Sequence, residues 1–126
     1  MNNIFLDKSD NTPKIIMDRK EHFIEFEGKS YPENTFAFYR PITEWLKGYF
    51  QEETLVTQEI TINFKFTYFN SATTQIIFEI LDIISEAKPK NINISWFYDA
   101  ENKNGLEDYE DYSEEFPQLN IQAKVT

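Results

Sequence analysis

The sequence predicts a single α/β domain of 126 residues in which a mixed sheet carries helices on one face. Three segments, Thr57–Phe69, Asn91–Asp99 and Leu119–Val125, alternate apolar and polar residues as half-buried strands do. Between them lie segments whose apolar residues recur three and four apart, as in helices packed on a sheet. Strands buried on both faces read as unbroken apolar runs, and these do not, so the helices are expected on one side only.

Composition sets the outer limits. The chain is long enough for one sizeable core but not for two. Twelve Phe and seven Tyr make that core aromatic. A formal net charge of −10 disfavours nucleic-acid backbones and anionic membranes, which leaves proteins as the expected partners. With no cysteine there is no disulfide, thiolate nucleophile or Cys-based zinc site. Residues 1–8 lack a basic stretch followed by an apolar run, no segment is apolar over a membrane-spanning length, and a cytoplasmic protein without membrane insertion is expected.

In chain order, residues 4–6 read as a short edge strand before the Ser9–Pro13 turn. Lys14–Asp18 and His22–Glu27 read as a hairpin around Arg19-Lys20-Glu21, with Gly28 closing its second strand. In the following loop, Pro32 disfavours helix for Tyr31, and Asn34 is placed to cap a helix. Phe38, Ile42, Trp45, Leu46 and Tyr49 share one face of that helix. Pro41 requires it either to start late or to kink. In the next strand Ile60, Ile62, Phe64, Phe66 and Tyr68 face one way. In the third, Ile92, Ile94, Trp96 and Tyr98 do so, and in the last Leu119, Ile121, Ala123 and Val125. Phe23, Phe69 and Phe97 interrupt the polar side and are expected to form a patch.

At Tyr68-Phe69-Asn70-Ser71-Ala72-Thr73-Thr74 a strand stops and a helix begins, running to Ala87 and allowing a parallel crossover. Thr73, Ile76, Ile77, Ile80, Ile84 and Ala87 fall on its buried side, Leu81 at the margin, and Ser71, Gln75, Phe78, Asp82 and Ser85 opposite. A hydroxyl at the helix start lies beside unpaired N–H groups and the positive end of the dipole, where a phosphate is stabilised. Asn70 or Ser71 is also a preferred N-cap. Phe78 is an aromatic on the polar face, either incidental or an anchor for a partner on the surface that Ser71 controls.

The acidic segment after Gly105 has Leu106, Tyr109, Tyr112 and Phe116 at helical spacing, its carboxylates forming a solvated face. Counted from Asp99 as a calcium loop, Lys103 falls at the fifth position and Gly105 at the seventh, so the EF-hand pattern fails. No metal is expected. His22 is the only histidine, and glycines at 28, 48 and 105 alone exclude Walker and dinucleotide loops, so neither an enzyme nor a cofactor is indicated.

Thr12-Pro13, Gly28-Lys29-Ser30-Tyr31-Pro32-Glu33-Asn34, the Trp45 helix, Tyr68-Phe69-Asn70-Ser71 and Ser95-Trp96-Phe97-Tyr98 stand in the order and spacing of the SiaC family of bacterial regulatory phosphoproteins. The chain resembles that family over nearly its whole length, 1–126 as one domain. The resemblance implies a fold like the STAS domains of anti-sigma-factor antagonists. It also implies a non-enzymatic switch, phosphorylated on one hydroxyl by a Ser/Thr kinase of the histidine-kinase-like ATPase type and restored by a PP2C-type phosphatase. The unphosphorylated form then binds and activates a diguanylate cyclase, tuning cyclic di-GMP and biofilm formation. The modified hydroxyl follows the junction Asn, which makes it Ser71, where some members carry Thr; Thr73 and Thr74 are nearby alternatives, Thr73 on the buried side of the helix.

The partner surface expected on this basis comprises Asn70, Thr74, Gln75, Phe78 and Asp82 together with Tyr31, Glu33 and Asn34, the last three either lining it or only capping the first helix. Alternatives are anti-sigma-antagonist-like partner switching and a constitutive adaptor with Ser71 as a cap.

Overall fold

The computed structural model describes residues 2–52 and 58–126; Thr57, taken as the start of a strand, lies outside them. Strands β1 (Ile4–Leu6), β2 (Lys14–Asp18) and β3 (Phe23–Ser30) precede helix α1 (Thr35–Tyr49). Strand β4 (Ile60–Phe69), helix α2 (Ser71–Ala87), strand β5 (Ile92–Tyr98) and helix α3 (Lys103–Glu115) follow, then a 3-10 turn (Pro117–Leu119) and strand β6 (Gln122–Val125). The six strands form one sheet in sequence order. β1, β2 and β3 pair antiparallel, and β3 through β6 pair parallel. The architecture is the single-domain mixed α/β sheet that alternation and helical period predict.

One aromatic-rich core lies between the sheet and the helices. It joins Ile15, Ile24, Phe26, Ile62, Phe64, Ile94 and Trp96 of the strands to Tyr39, Ile42 and Leu46 of α1, Ile76, Ile77 and Ile80 of α2, and Tyr112 of α3. The other sheet face is closed by charge: Glu25, only 7% exposed, takes Lys65 at 2.9 Å and Lys14 at 3.8 Å. Such a polar outer face is what the alternating residues dictate.

Several local expectations are corrected. His22 leaves the strand for the hairpin turn, with φ of +54°, and its ring meets the Tyr49 hydroxyl at 2.5 Å. Gly28 does not end its strand; it holds φ of +115°, a conformation that suits glycine, while pairing continues to Ser30. α1 starts six residues ahead of Pro41, which has no N–H to offer the carbonyl of Ala37, and both residues are exposed. Tyr39 as well as Ile42 is fully buried, while Phe38 is half-buried. Ala87 is exposed where α2 runs out, and Leu81 is buried. On the edge strand, Ala123 is exposed and Val125 is 59% exposed.

The most consequential correction concerns β4. Gly28 pairs with Phe66 and Lys29 with Tyr68, so Thr67 is an extra residue on β4. A bulge of this kind reverses the side-chain phase beyond it. Tyr68, expected in the core, is 56% exposed. Phe69, expected outside, turns in and packs on Phe66 at 5.6 Å and Trp96 at 5.9 Å. The patch of Phe23, Phe69 and Phe97 therefore does not form. Phe97 instead lies under the ammonium groups of Lys65 and Lys124, at 4.8 and 5.6 Å from its centroid.

Candidate functional site

Three parallel strands, β3, β4 and β5, each lead into a helix, so their connections gather at the C-terminal edge of the sheet, where α/β sheets characteristically present their sites. Each of the three helices opens on an asparagine. Asn34 accepts the N–H of Ala37 at 3.1 Å, Asn70 that of Thr73 at 2.8 Å, and Asn102 that of Gly105 at 3.2 Å. No first turn contains an acidic residue, although the chain has 22. The carboxylates at this edge, Glu33 and Asp108 among them, lie outside those first turns.

At the middle of these starts, the two cap readings separate. Asn70 provides the cap, and Ser71 is the first helical residue, exposed, its hydroxyl without a hydrogen bond among the described residues. The first helical bond runs from the Thr74 N–H to the Asn70 carbonyl, and the Asn70 side chain takes that of Thr73. The N–H groups of Ser71 and Ala72 are thus left without helical acceptors beside the Ser71 hydroxyl. Of the neighbouring hydroxyls, Thr73 is fully buried and Thr74 half-buried, 3.4 Å from the Asn70 carbonyl.

A buried hydroxyl chain holds this junction in place. Thr73 donates to the Ser30 carbonyl at 3.1 Å, and the Ser30 hydroxyl lies 2.9 Å from Thr73 Oγ1 and 2.6 Å from the Tyr39 hydroxyl. One proton assignment satisfies all three, with Tyr39 donating to Ser30 and Ser30 to Thr73. Burial pushes the Tyr39 hydroxyl up to about 12, the Ser30 hydrogen bond opposing, so it keeps its proton at neutral pH. The Asn70 N–H also donates to the Ser30 carbonyl at 3.1 Å. No local pattern announces this chain, because Ser30, which joins Tyr39 to Thr73, lies 43 residues from Thr73.

The Tyr31–Asn34 connection lies on the same edge. The N–H and hydroxyl of Tyr31 bind the carbonyls of Asn11 and Asp10, at 2.9 and 2.8 Å. Its ring meets Tyr68 edge-on at 5.6 Å. The loop therefore both caps α1, through Asn34, and stands against the residue that the bulge turned outward. Glu33 is exposed beside it, and Gln75 and Asp82 continue the exposed stripe of α2 from Ser71.

Phe78 does not stand free on that stripe, which corrects the expectation of an exposed anchor. Its ring lies 5.0 Å from Tyr112 and 6.2 Å from Phe116, so α3 covers it. The helical spacing of Tyr112 and Phe116 belongs to this contact.

Between the starts of α2 and α3 lies a cavity of about 360 Å³, lined by Tyr68, Phe69, Thr74, Trp96, Tyr98, Asn102 and Asp108 among others. Burial, together with Asp111 and Glu107, raises the Asp108 carboxyl to about 6. A carboxyl that binds its proton more tightly in the fold stabilises the fold fully below about pH 4, and that contribution is lost as pH rises through about 6. The side chain is only part-buried, so solvent screening leaves about 1 kcal/mol at stake. Asp108→Asn is expected to flatten the stability curve between these pH values and to raise the urea midpoint at pH 8. Identical slopes for the two proteins from pH 4 to 6 would show that the carboxyl is not perturbed.

Among the described residues no group of three His, Asp or Glu side chains is disposed to hold a metal, and no helix is long and apolar enough to cross a membrane. Comparison with known proteins gives one consistent result. The model of the SiaC family of regulatory phosphoproteins matches residues 6–126. An uncharacterized protein of Pseudomonas aeruginosa is 22% identical over 117 residues, spanning 91% of this chain and 90% of its own. Apo-SiaC of Pseudomonas aeruginosa superposes with a TM-score of 0.82 at 20% identity, covering 100% of this chain and 99% of that one. The same score and identity, with 97% of each chain covered, relate it to the crystal structure of the diguanylate cyclase SiaD in complex with its activator SiaC, from the same organism. These likenesses confirm the fold, and the match of the family model over nearly the entire chain shows that this protein belongs to the SiaC family of regulatory phosphoproteins.

Proposed function

We propose that the protein is a non-enzymatic, phosphorylation-controlled activator of a diguanylate cyclase in the cytoplasm, with Ser71 as the modified residue. The observation that carries this reading is the exposed, unbonded Ser71 hydroxyl at a helix start whose capping is already performed by Asn70. A residue needed as a cap would lose that role on modification; Ser71 has none to lose. Two free N–H groups and the helix dipole favour a phosphate there, and no first-turn carboxylate opposes it. Thr73, by contrast, is locked beneath Ser30 and out of reach of an enzyme.

In this reading the surface around Asn70, Ser71, Thr74 and Gln75, with Tyr31, Glu33 and Asn34 alongside and Asp82 further along α2, meets the cyclase while Ser71 is neutral. A Ser/Thr kinase of the histidine-kinase-like ATPase type adds the phosphate, and a PP2C-type phosphatase removes it. Support comes from family membership and from the complex that Pseudomonas aeruginosa SiaC forms with a diguanylate cyclase. Intact-mass and peptide mass spectrometry of the protein purified from its native host is expected to find one added phosphate, on the peptide containing Ser71. Its absence under growth conditions that favour and disfavour biofilm would return weight to a constitutive adaptor.

A further inference from the structure

We infer that the cavity between the starts of α2 and α3 is a socket for the guanidinium group of an arginine presented by a protein partner. Its volume of about 360 Å³ is at the small end of ligand pockets, which run from about 300 to 1,000 Å³, and suits a side chain better than a cofactor. Tyr68, whose side chain is largely exposed, lines it with Trp96 and Tyr98, Asp108 supplies a carboxylate, and among the described residues neither lysine nor arginine lines it. Among the described residues Asp108 has no ion pair, and Lys103, beside Asn102 in sequence, is exposed and outside the cavity.

Charge complementarity selects the occupant. An anion would meet Asp108 with Glu107 and Asp111 close by, in a chain of net charge −10. An apolar side chain would strip water from the carboxylate and return no hydrogen bond. A guanidinium satisfies both halves of the site: its plane can stack on the exposed Tyr68 ring, and its N–H fork matches the Asp108 carboxylate. Lysine offers a compact, strongly hydrated ammonium that suits the carboxylate but stacks less well.

The cavity also adjoins the proposed switch, since Tyr68, Phe69 and Thr74 flank Ser71 in the chain. The identity of the partner, though not the socket itself, rests on the function proposed above. A phosphate on Ser71 would attract the same cation, so the socket provides recognition, and release on phosphorylation comes from the Ser71 and Gln75 surface.

The test is an NMR titration of the full chain with N-acetyl-arginine amide, using the neutral isostere N-acetyl-citrulline amide as control. Saturable shifts are expected at the Trp96 indole N–H, which donates to the Gly105 carbonyl at 3.1 Å, and at neighbouring amides. Binding should weaken about tenfold or more with citrulline and with Asp108→Asn. Non-saturating shifts, or equal affinity for arginine and citrulline, would overturn the socket. If partner release by Ser71 phosphorylation holds while the titration fails, only the socket is wrong; saturable arginine binding in a protein never phosphorylated supports the socket and removes the switch.

Discussion

Phosphate on Ser71 is expected to weaken binding of the proposed cyclase partner by about tenfold or more, whereas Ser71→Ala is expected to bind as the unmodified protein does. The modification adds a charge of about −1.5 to −2 and three strong acceptors. The helix start tolerates this, because the N–H groups of Ser71 and Ala72 are free and Asn70 keeps its bond to Thr73. A partner surface closing over the same residues would bury an unpaired phosphate, at a cost of a few kcal/mol, and about 1.4 kcal/mol is already one decade of affinity. The effect is local, since the hydroxyl chain of Ser30, Thr73 and Tyr39 beneath the junction does not involve Ser71. Isothermal titration with unmodified protein, stoichiometrically phosphorylated protein and Ser71→Ala decides the matter. Equal affinities for the first two would sink the switch at this residue. The melting temperature should be nearly unchanged in all three, because the Ser71 hydroxyl makes no hydrogen bond among the described residues.

Phe78→Ala is expected to destabilise the domain by loosening α3 from α2. The ring fills the space between α2 and α3, edge-on to Tyr112 and tilted against Phe116. Removing a buried phenyl costs about 3–5 kcal/mol, and a half-buried one proportionately less, about 2 kcal/mol here. For a domain of this length that corresponds to a fall in melting temperature of about 6–10 °C. Amide exchange should accelerate chiefly in α3, whose remaining ties to the sheet include the Trp96 indole bond to Gly105 and the Trp96–Tyr112 ring contact at 5.1 Å. Loss of partner binding at an unchanged melting temperature would instead mean that Phe78 faces a partner and not α3.

The fate of Phe78 shows what sequence period does and does not carry. Helical spacing places a residue on a face of its own helix and says nothing of what lies against that face. The acidic residues of α3 read as solvated, which they largely are. Its second stripe, Tyr112 and Phe116, is opposite Phe78 in the fold, and no local signal announces the pairing of residues 34 apart.

The sequence by itself determined the elements and the class of the fold. Period-two and helical patterns are local and survive wherever one face of an element is buried; β1, β2, α2 and β5 lie where alternation, turn residues and spacing place them, and β4 ends where they end it. It also offered Ser71 as a candidate switch, through the family resemblance carried by the Tyr-Phe-Asn-Ser junction. Only the tertiary structure decided that Asn70 and not Ser71 caps α2, since both have the chemistry of a cap and only backbone geometry assigns the role. Only it revealed the bulge at Thr67, because an inserted residue reverses the phase of a strand without changing its composition, and Tyr68 and Phe69 exchange sides. The hydroxyl chain under Ser71 and the cavity beside it likewise belong to tertiary structure. Both join residues from strands and helices far apart in sequence, and proximity of that kind is created by closing the chain, not by any stretch of it.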